Sequence, residues 1–398
     1  REEFSTTIAP ELQVGDTTHY GGSNLPVDVE RDVTSFFTEL SVPIATGLTG
    51  SAAVRYDDYE NTGNKTTPKV GLRWQPIDAL MLRASFGRGF RAPSLSELHQ
   101  PQITGVSAPG LSDPARCGVL VGGVPNNDAR DCLTQFNILL GGNTALAPEE
   151  SDNYTLGVVF SPLPTLSIGL DAFRVKLTNT IIFGIDPGAM LDEADTFADF
   201  IVRGPEDPAT PGLPGHIVQI NQINLNFGET KVQGIDIGVF WRLADTAAGT
   251  FSLAVDGTYF DQFEVQNLDV SFRSVAGKVS PIVNGAGGAT PRWRHYLSLG
   301  WQMLDWEASV AQNFQSRYED ITGTLEDTEA PDFVQPEVGS YLTYDLQISY
   351  RGIRNLTPTL GVKNVFDRDP PYSNVGGFNY FQAGYDPGYA DPRGRFFY

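Results

Sequence analysis

Basic residues are scarce in this chain. Its 398 residues hold 27 Lys and Arg against 48 Asp and Glu, a formal net charge of −21. A nucleic-acid partner wants a basic stripe to replace counterions, so this balance argues against nucleic acid. Histidine is rare too, at 4, and neither of the 2 cysteines stands in a C-x-x-C pair. A metal site therefore has few soft ligands to draw on, and no cofactor motif is apparent. No apolar run approaches the ~18 residues of a membrane-spanning helix. No cleavable leader is visible, and the first residue is Arg1 rather than Met. Glu3, Phe4, Thr6 and Ile8 read as the tail of a strand, which places the start of this sequence inside a longer protein.

What the chain has in quantity is Gly (42), Tyr (15) and Phe (24), a leaning toward all-β structure. Hydrophobic residues make up 40% and the mean hydropathy is −0.19. That suits a membrane barrel as well as a water-soluble protein, because only one side of each barrel strand needs to be apolar. Leu80, Leu82, Ala84 and Phe86 alternate with Met81, Arg83, Ser85 and Gly87; Tyr154, Leu156, Val158 and Phe160 alternate in the same way. Such period-two alternation marks strands with one apolar face. Residues 91–150 lie between them, rich in Gly, Pro, Asn and Asp, and a loop of that length is foreign to an ordinary compact domain.

The rest of the chain keeps the rhythm. Strands are expected at 35–42, 48–59, 69–75, 166–172, 216–243 with a kink near Gly228, 251–255, 297–303, 306–310, 342–350 and 360–366, and a last one begins near Arg393. Tight turns near 45–47, 76–78, 162–164, 245–249, Asp305 and 352–355 alternate with long links, including a polar one through Asn61 and Asn64. This gives about thirteen strands plus an N-terminal stub, with short and long links on opposite rims of a transmembrane antiparallel β-barrel. Leu82, Phe86, Leu156, Phe160, Ile168, Ile237, Trp241, Leu299, Trp301, Leu346 and Ile348 are expected to face lipid. Arg83, Ser85, Thr155, Asp171, Asp236, Gln302, Asp345 and Gln347 are expected to face the lumen, joined by Arg88, Arg174 and Arg242. Trp74, Trp241, Trp301 and Trp306, all near short turns, suit an aromatic girdle, with ordinary core packing as the plainer reading.

Cys117 and Cys132 both fall in the first long loop. In an oxidising compartment a bond between them would close a loop worth ~3 kcal/mol of unfolded-state entropy; the alternative is two unrelated thiols. Ser94, Ser96, Glu97 and His99 lie close together but lack the strand–turn–helix context of a nucleophile elbow, so they read as a polar loop segment and the chain as a non-enzyme. Asp192, Glu193, Asp195 and Asp199 lack EF-hand spacing and read as a solvated loop face rather than a calcium site.

Four stretches carry a resemblance: GFRAPSLSELHQ (89–100), GGNTALAPEESDNYTLGVVFSP (141–162), GVKNVFDRDPPY (361–372) and YADPRGRFFY (389–398). In this order they resemble the C-terminal barrel of TonB-dependent outer-membrane receptors. The resemblance implies a partial barrel, about 13–14 of an expected ~22 strands, so that residues 1–398 form the C-terminal part without the plug domain. It implies integral placement in a Gram-negative outer membrane and contact with its lipid. It also implies active uptake of a scarce solute, energised by TonB and its inner-membrane complex through the plug. A piece of this kind, alone, would leave two unpaired sheet edges in the bilayer.

The ligand is expected on the long loops. Arg91 and His99 in the first, and Tyr372, Phe378, Tyr380, Phe381, Tyr385 and Tyr389 in the last, are the candidate contacts, since aromatic faces stack on sugar rings or aryl iron chelators. Ferric siderophore and oligosaccharide both stand, the second favoured by the acidic loops. A passive porin or adhesin barrel, or a soluble secreted β-rich glycan-binding protein, are the alternatives from other classes.

Overall fold

A long segment that is apolar on alternate residues buries neither face alone; it pairs with its chain neighbours and shows one apolar side. The computed structural model describes residues 1–13, 25–60, 62–243, 245–266, 271–280, 288–320, 336–374 and 384–398. Thirteen strands lie side by side in chain order: β1 (Val33–Ala45), β2 (Leu48–Tyr59), β3 (Gly63–Ile77), β4 (Leu80–Arg91), β5 (Glu149–Leu163), β6 (Leu166–Thr178), β7 (Glu229–Arg242), β8 (Thr250–Gln266), β9 (Trp293–Met303), β10 (Trp306–Gln315), β11 (Tyr341–Tyr350), β12 (Thr359–Lys363) and β13 (Phe396–Phe397). The short strand Phe272–Ser274 pairs with the end of β8 and completes a 14-stranded sheet. Neighbours along the path are antiparallel. Among the described residues β1 and β13 pair on one side only, so the sheet is open.

Short connections (46–47, 78–79, 164–165, 243–249, 304–305 and 351–358) share one end of the sheet, and the long ones (92–148, 179–228, 267–292, 316–340 and 364–395) the other. One expected long link is short: β2 and β3 are joined by residues 60–62 alone. A second difference concerns 216–243. The segment is not one kinked strand, because Ile217–Ile223 leaves the main sheet to pair with Asn137–Gly141 and Ile201–Arg203, and β7 starts after Gly228 at φ +91°. Gly47 shows why one tight turn demands glycine: its φ is +74°, and a Cβ there would lie 2.3 Å from the Gln75 carbonyl oxygen.

Register fixes the faces. Arg73, Arg83, Gly157, Asp171, Asp236, Thr258 and Arg294 form one cross-strand row on the polar face. There Arg83 Nε donates to Asp171 Oδ1 at 2.7 Å, and Thr258 Oγ1 to Asp236 Oδ1 at 2.6 Å. All eleven residues expected to face lipid fall on the opposite face, and all eight expected luminal residues on the polar one. Leu156 is 65% exposed and Leu299 51%. A face of such residues exceeds what a water-soluble monomer shows, whereas lipid covers it at no cost. Arg242 shares the polar face, paired with Ser252. Arg88 and Arg174 do not: they pair with Asp152 and with Tyr154 on the apolar side. The reason is parity, since Arg88 stands two residues beyond Phe86 and Arg174 two beyond Ala172.

Trp74, Trp241, Trp301 and Trp306 lie on the apolar face near the short turns. Phe86, Tyr154, Tyr259 and Trp293 occupy the same face near the long-loop end. Two aromatic belts thus bracket the apolar band, as at two membrane interfaces. Arginine at Leu297, between the belts, should cost about 2–4 kcal/mol of stability, and arginine at the polar-face neighbour Ser298 under about 1 kcal/mol. Urea unfolding of the protein in lipid vesicles reads the difference; equal penalties would argue against a lipid-facing side on β9.

Candidate functional site

The long connections fold into an assembly of their own at one end of the sheet. Its largest core unites Phe136, Ile138, Met190, Phe197, Ile201 and Ile220, contributed by two different loops. A four-stranded sheet runs through it, with Asn137–Gly141 and Ile217–Ile223 parallel. Residues 92–148 and 179–228 therefore behave as one folded unit, although neither shows a strong periodic pattern.

Arg91 anchors that unit to the strands. At the end of β4 its guanidinium grips Glu149, at the start of β5, through Nε and Nη2 at 2.7 and 2.8 Å, and Glu97 through Nη1 at 2.8 Å. Both ends of the first long loop are thereby closed on one cation. Glu97 also caps its own short helix, Leu95–His99: Ser94 Oγ accepts from the Glu97 amide and the Glu97 carboxylate accepts from the Ser94 amide. The spacing Ser-x-x-Glu is the sequence signal for such a box. Glu149 further accepts from the Ile181 amide at 2.7 Å, and the Glu97 carbonyl accepts from Asn224 Nδ2 at 2.9 Å, so the second loop joins the same knot. Burial pushes the Glu97 carboxyl upward, but Arg91 and Ser94 outweigh it and hold the group below the ordinary range.

A second knot lies farther out. Arg116 and Asp131 are fully buried and paired at 2.8 Å. Asp131 accepts from Asn126 Nδ2 at 3.0 Å and touches His216 Nδ1 at 2.6 Å; His216 Nε2 meets Asp207 at 3.1 Å. Arg203 binds Asp113 at 2.6 and 2.9 Å. The disulfide Cys117–Cys132 sits one residue beyond both members of the buried pair, with Cα atoms 5.2 Å apart. Burial opposes ionisation of Asp131, yet His216, Asn126 and Arg116 keep its carboxyl low. Ligand atoms of Asp128, Asp131 and His216 lie within 4.8 Å of one another, a spacing a metal ion would accept. Arg116 and Arg130 already neutralise those carboxylates, so the cluster has no need of a cation. The acidic residues Asp192 and Glu193 end and cap the helix Pro187–Asp192.

The expected contact residues divide. Arg91 is engaged with Glu149 and Glu97; His99 closes the capped helix and is half-buried. Ser94 and Glu97 are committed to the cap and to Arg91, which leaves no nucleophile–base pair among them. Tyr372 is 72% exposed, its hydroxyl donating to Asn374. Tyr385 is half-buried. Tyr389 is buried in a second loop core with Tyr318, Val338 and Tyr341, its hydroxyl against the Gln315, Ser316 and Gly339 carbonyls. Burial pushes its phenol up to about 12, so Tyr389 holds three chain segments together rather than offering a ring to a ligand. Phe378, Tyr380 and Phe381 lie outside the described residues, as do 281–287 in the Gly-rich patch and the acidic stretch 321–335. On the polar face of the sheet, Arg83, Asp171, Asp236, Asp256, Thr258 and Arg294 line a hollow of about 560 Å³.

Arg91→Leu leaves Glu149 and Glu97 unpaired, a loss of about 3–5 kcal/mol when charges lose a partially buried partner. Limited proteolysis should then cut within 92–148 and 179–228 while the strands stay intact. Acid should have the same effect. Glu97 and Asp131 have lowered pKa values, so their contribution is complete above the ordinary carboxylate values near ~4 and fades as pH falls through the folded ones. Loop protection that persists unchanged to pH ~2 would show that these pairs do not hold the unit together.

The family comparison agrees with this architecture. A family model described as TonB dependent receptor-like, beta-barrel matches residues 4–365. The ferric enterobactin receptor of Pseudomonas aeruginosa is 23% identical over 359 residues, covering 87% of this chain and 39% of the relative. A crystal structure of the Pseudomonas aeruginosa ferric enterobactin receptor superposes with a TM-score of 0.63 at 18% identity, covering 97% of this chain and 47% of that one. The siderophore receptor PirA of Acinetobacter baumannii gives 0.59 at 15% identity, over 92% of this chain and 45% of that one. The chain thus spans less than half the length of these relatives. With its family model covering most of its length, the chain belongs to the TonB-dependent receptor family, as part of the β-barrel domain.

Proposed function

We propose that this chain is the C-terminal barrel part of a Gram-negative outer-membrane receptor that takes up a ferric siderophore with energy from TonB. The observation that carries the reading is the pairing of a two-faced sheet with a folded loop unit at one end. An apolar face between aromatic belts suits lipid, and a polar face with a 560 Å³ hollow suits a hydrated lumen. The relatives by sequence and by fold are named as siderophore receptors. Contact with TonB would run through the plug domain of such a receptor, and the ligand is a small molecule rather than a macromolecule.

Oligosaccharide is the second reading, favoured by the net charge of −21 and by the exposed ring of Tyr372. Uptake of a radiolabelled ferric catecholate by cells expressing the receptor separates the two. The expected result is iron accumulation under iron limitation, abolished by a protonophore. Accumulation of a labelled oligosaccharide instead, or uptake indifferent to the protonophore, would overturn the siderophore or the energised reading respectively. Tyr372→Ala with Tyr385→Ala should lower uptake at limiting ligand by more than about tenfold, at about 1–3 kcal/mol per stacked ring, without lowering receptor yield. Unchanged uptake would assign both rings to loop packing.

A further inference from the structure

One feature of the apolar face is at odds with a uniform lipid coat. Near its long-loop end the sheet carries a groove of about 810 Å³, within the ~300–1,000 Å³ of small-ligand clefts. Register shows how it forms. One cross-strand row runs Leu72, Ala84, Leu156, Ala172, Ile235 and Tyr259, and the row beyond it runs Val70, Phe86, Tyr154, Arg174 and Gln233. Ala84 and Ala172 are short, so the floor sinks between the tilted Phe86–Tyr154 pair, with centroids 4.9 Å apart, and the Ile235–Tyr259 wall.

Arg174 stands at the end of this groove nearest the long loops, exposed and on the apolar face. Every other cation close to it on that face has a carboxylate: Arg88 has Asp152 at 3.2 Å, and Lys176 and Lys231 share Glu229 at 2.7 and 3.1 Å. Arg174 forms no ion pair among the described residues. Asp261, also on the groove wall, accepts from Gln233 Nε2 at 3.0 Å instead. An unpaired guanidinium beside hydrocarbon is unfavourable unless an anion meets it, and its planar fork suits a phosphate. Tyr154, Gln233 and Asp261 around it offer donors and acceptors to a headgroup rich in hydroxyls.

We propose that the groove binds a phosphorylated glycolipid of the outer leaflet, its phosphate on Arg174 and an acyl chain along the Leu72–Tyr259 row. The proposal rests on the membrane reading above, and it adds a lipid site distinct from the polar lumen. Such a lipid supplies in one molecule what the groove lacks: a counter-ion at the interface and hydrocarbon over the sunken floor.

The test uses the receptor purified in detergent, delipidated, and titrated by native mass spectrometry. The probes are a bis-phosphorylated diglucosamine lipid, its dephosphorylated form and phosphatidylglycerol. The phosphorylated glycolipid should bind the wild type about tenfold tighter than the dephosphorylated form, and Arg174→Gln should erase that preference. Ala172→Trp, which fills the floor, should weaken both forms; Ile235→Trp does the same from the wall if the first variant fails to fold. Lys176→Gln, outside the groove, should change nothing. Retention of the preference by Arg174→Gln overturns the proposal. So does equal binding of phosphatidylglycerol, because a bare phosphodiester would then suffice. Release of the receptor from membranes by salt without detergent would overturn the membrane reading itself, a separate result.

Discussion

The structure depends on one constraint: in a bilayer the backbone N–H and C=O groups have no water to bond, so each strand must be satisfied by its neighbours. Continuous register over β1–β13 follows from that, and the two faces follow from the register. Irregularities are correspondingly few and placed near strand ends. The bulge between Gln233 and Gly234 is instructive: one extra residue in β8 puts both Asp261 and Gln262 beside Gln233 and returns Phe263 to the polar face. A single inserted residue thus lets polar groups emerge on the apolar side where the strand meets the interface, and keeps the apolar belt below it unbroken.

Above the strands, ion pairs join backbone pairing and an apolar core in holding the loops. Arg91 binds Glu149 and Glu97, and through them the ends of two loops are drawn to one point. Such pairs are weak evidence of net stability but strong determinants of which arrangement forms, because each broken pair strands a buried charge. Arg116 and Asp131, with no exposed surface, do the same at the outer end, and the disulfide beside them restricts the segment that must deliver both partners. Covalent and electrostatic restraint thus act on adjacent residues, beside the apolar core around Phe136, Ile138 and Ile220 that joins the two loops.

The strands were legible because alternation over ten or more residues is a strong signal, and β5, β7 and β9 show it plainly. The face of Arg83 follows from its neighbours; Arg88 and Arg174 fall on the apolar side, not the luminal one expected, by a parity that the same alternation contains. Asn61 and Asn64 look like loop residues and suggest a long link, whereas Asn64 already lies in β3. The loop unit was not legible. Ile217–Ile223 alternates like a barrel strand, yet its partners are 137–141 and 201–203, and only tertiary contact distinguishes one sheet from another. Two local signals for it do stand in the sequence: the Ser94-x-x-Glu97 capping box, and the placement of Arg116 and Asp131 next to the two cysteines. The role of Tyr389 had no local signal, since its burial is created by Tyr318 and Tyr341, distant in sequence.

The acidic composition deserves a different weight once the partners are known. Counted along the chain, a charge of −21 argues against capture of an anionic chelate. In the folded loops, however, Glu97, Glu149, Asp113, Asp128, Asp131 and Asp207 are all bound to arginine or histidine. A paired carboxylate contributes little field at the distance of an approaching ligand, particularly beyond the ~8 Å screening length of physiological salt. These six carboxylates are thus spent on holding the loops together, while the excess of −21 is carried by other acidic side chains; the balance between anionic and neutral ligands turns on which groups stand exposed where a ligand arrives, such as the ring of Tyr372.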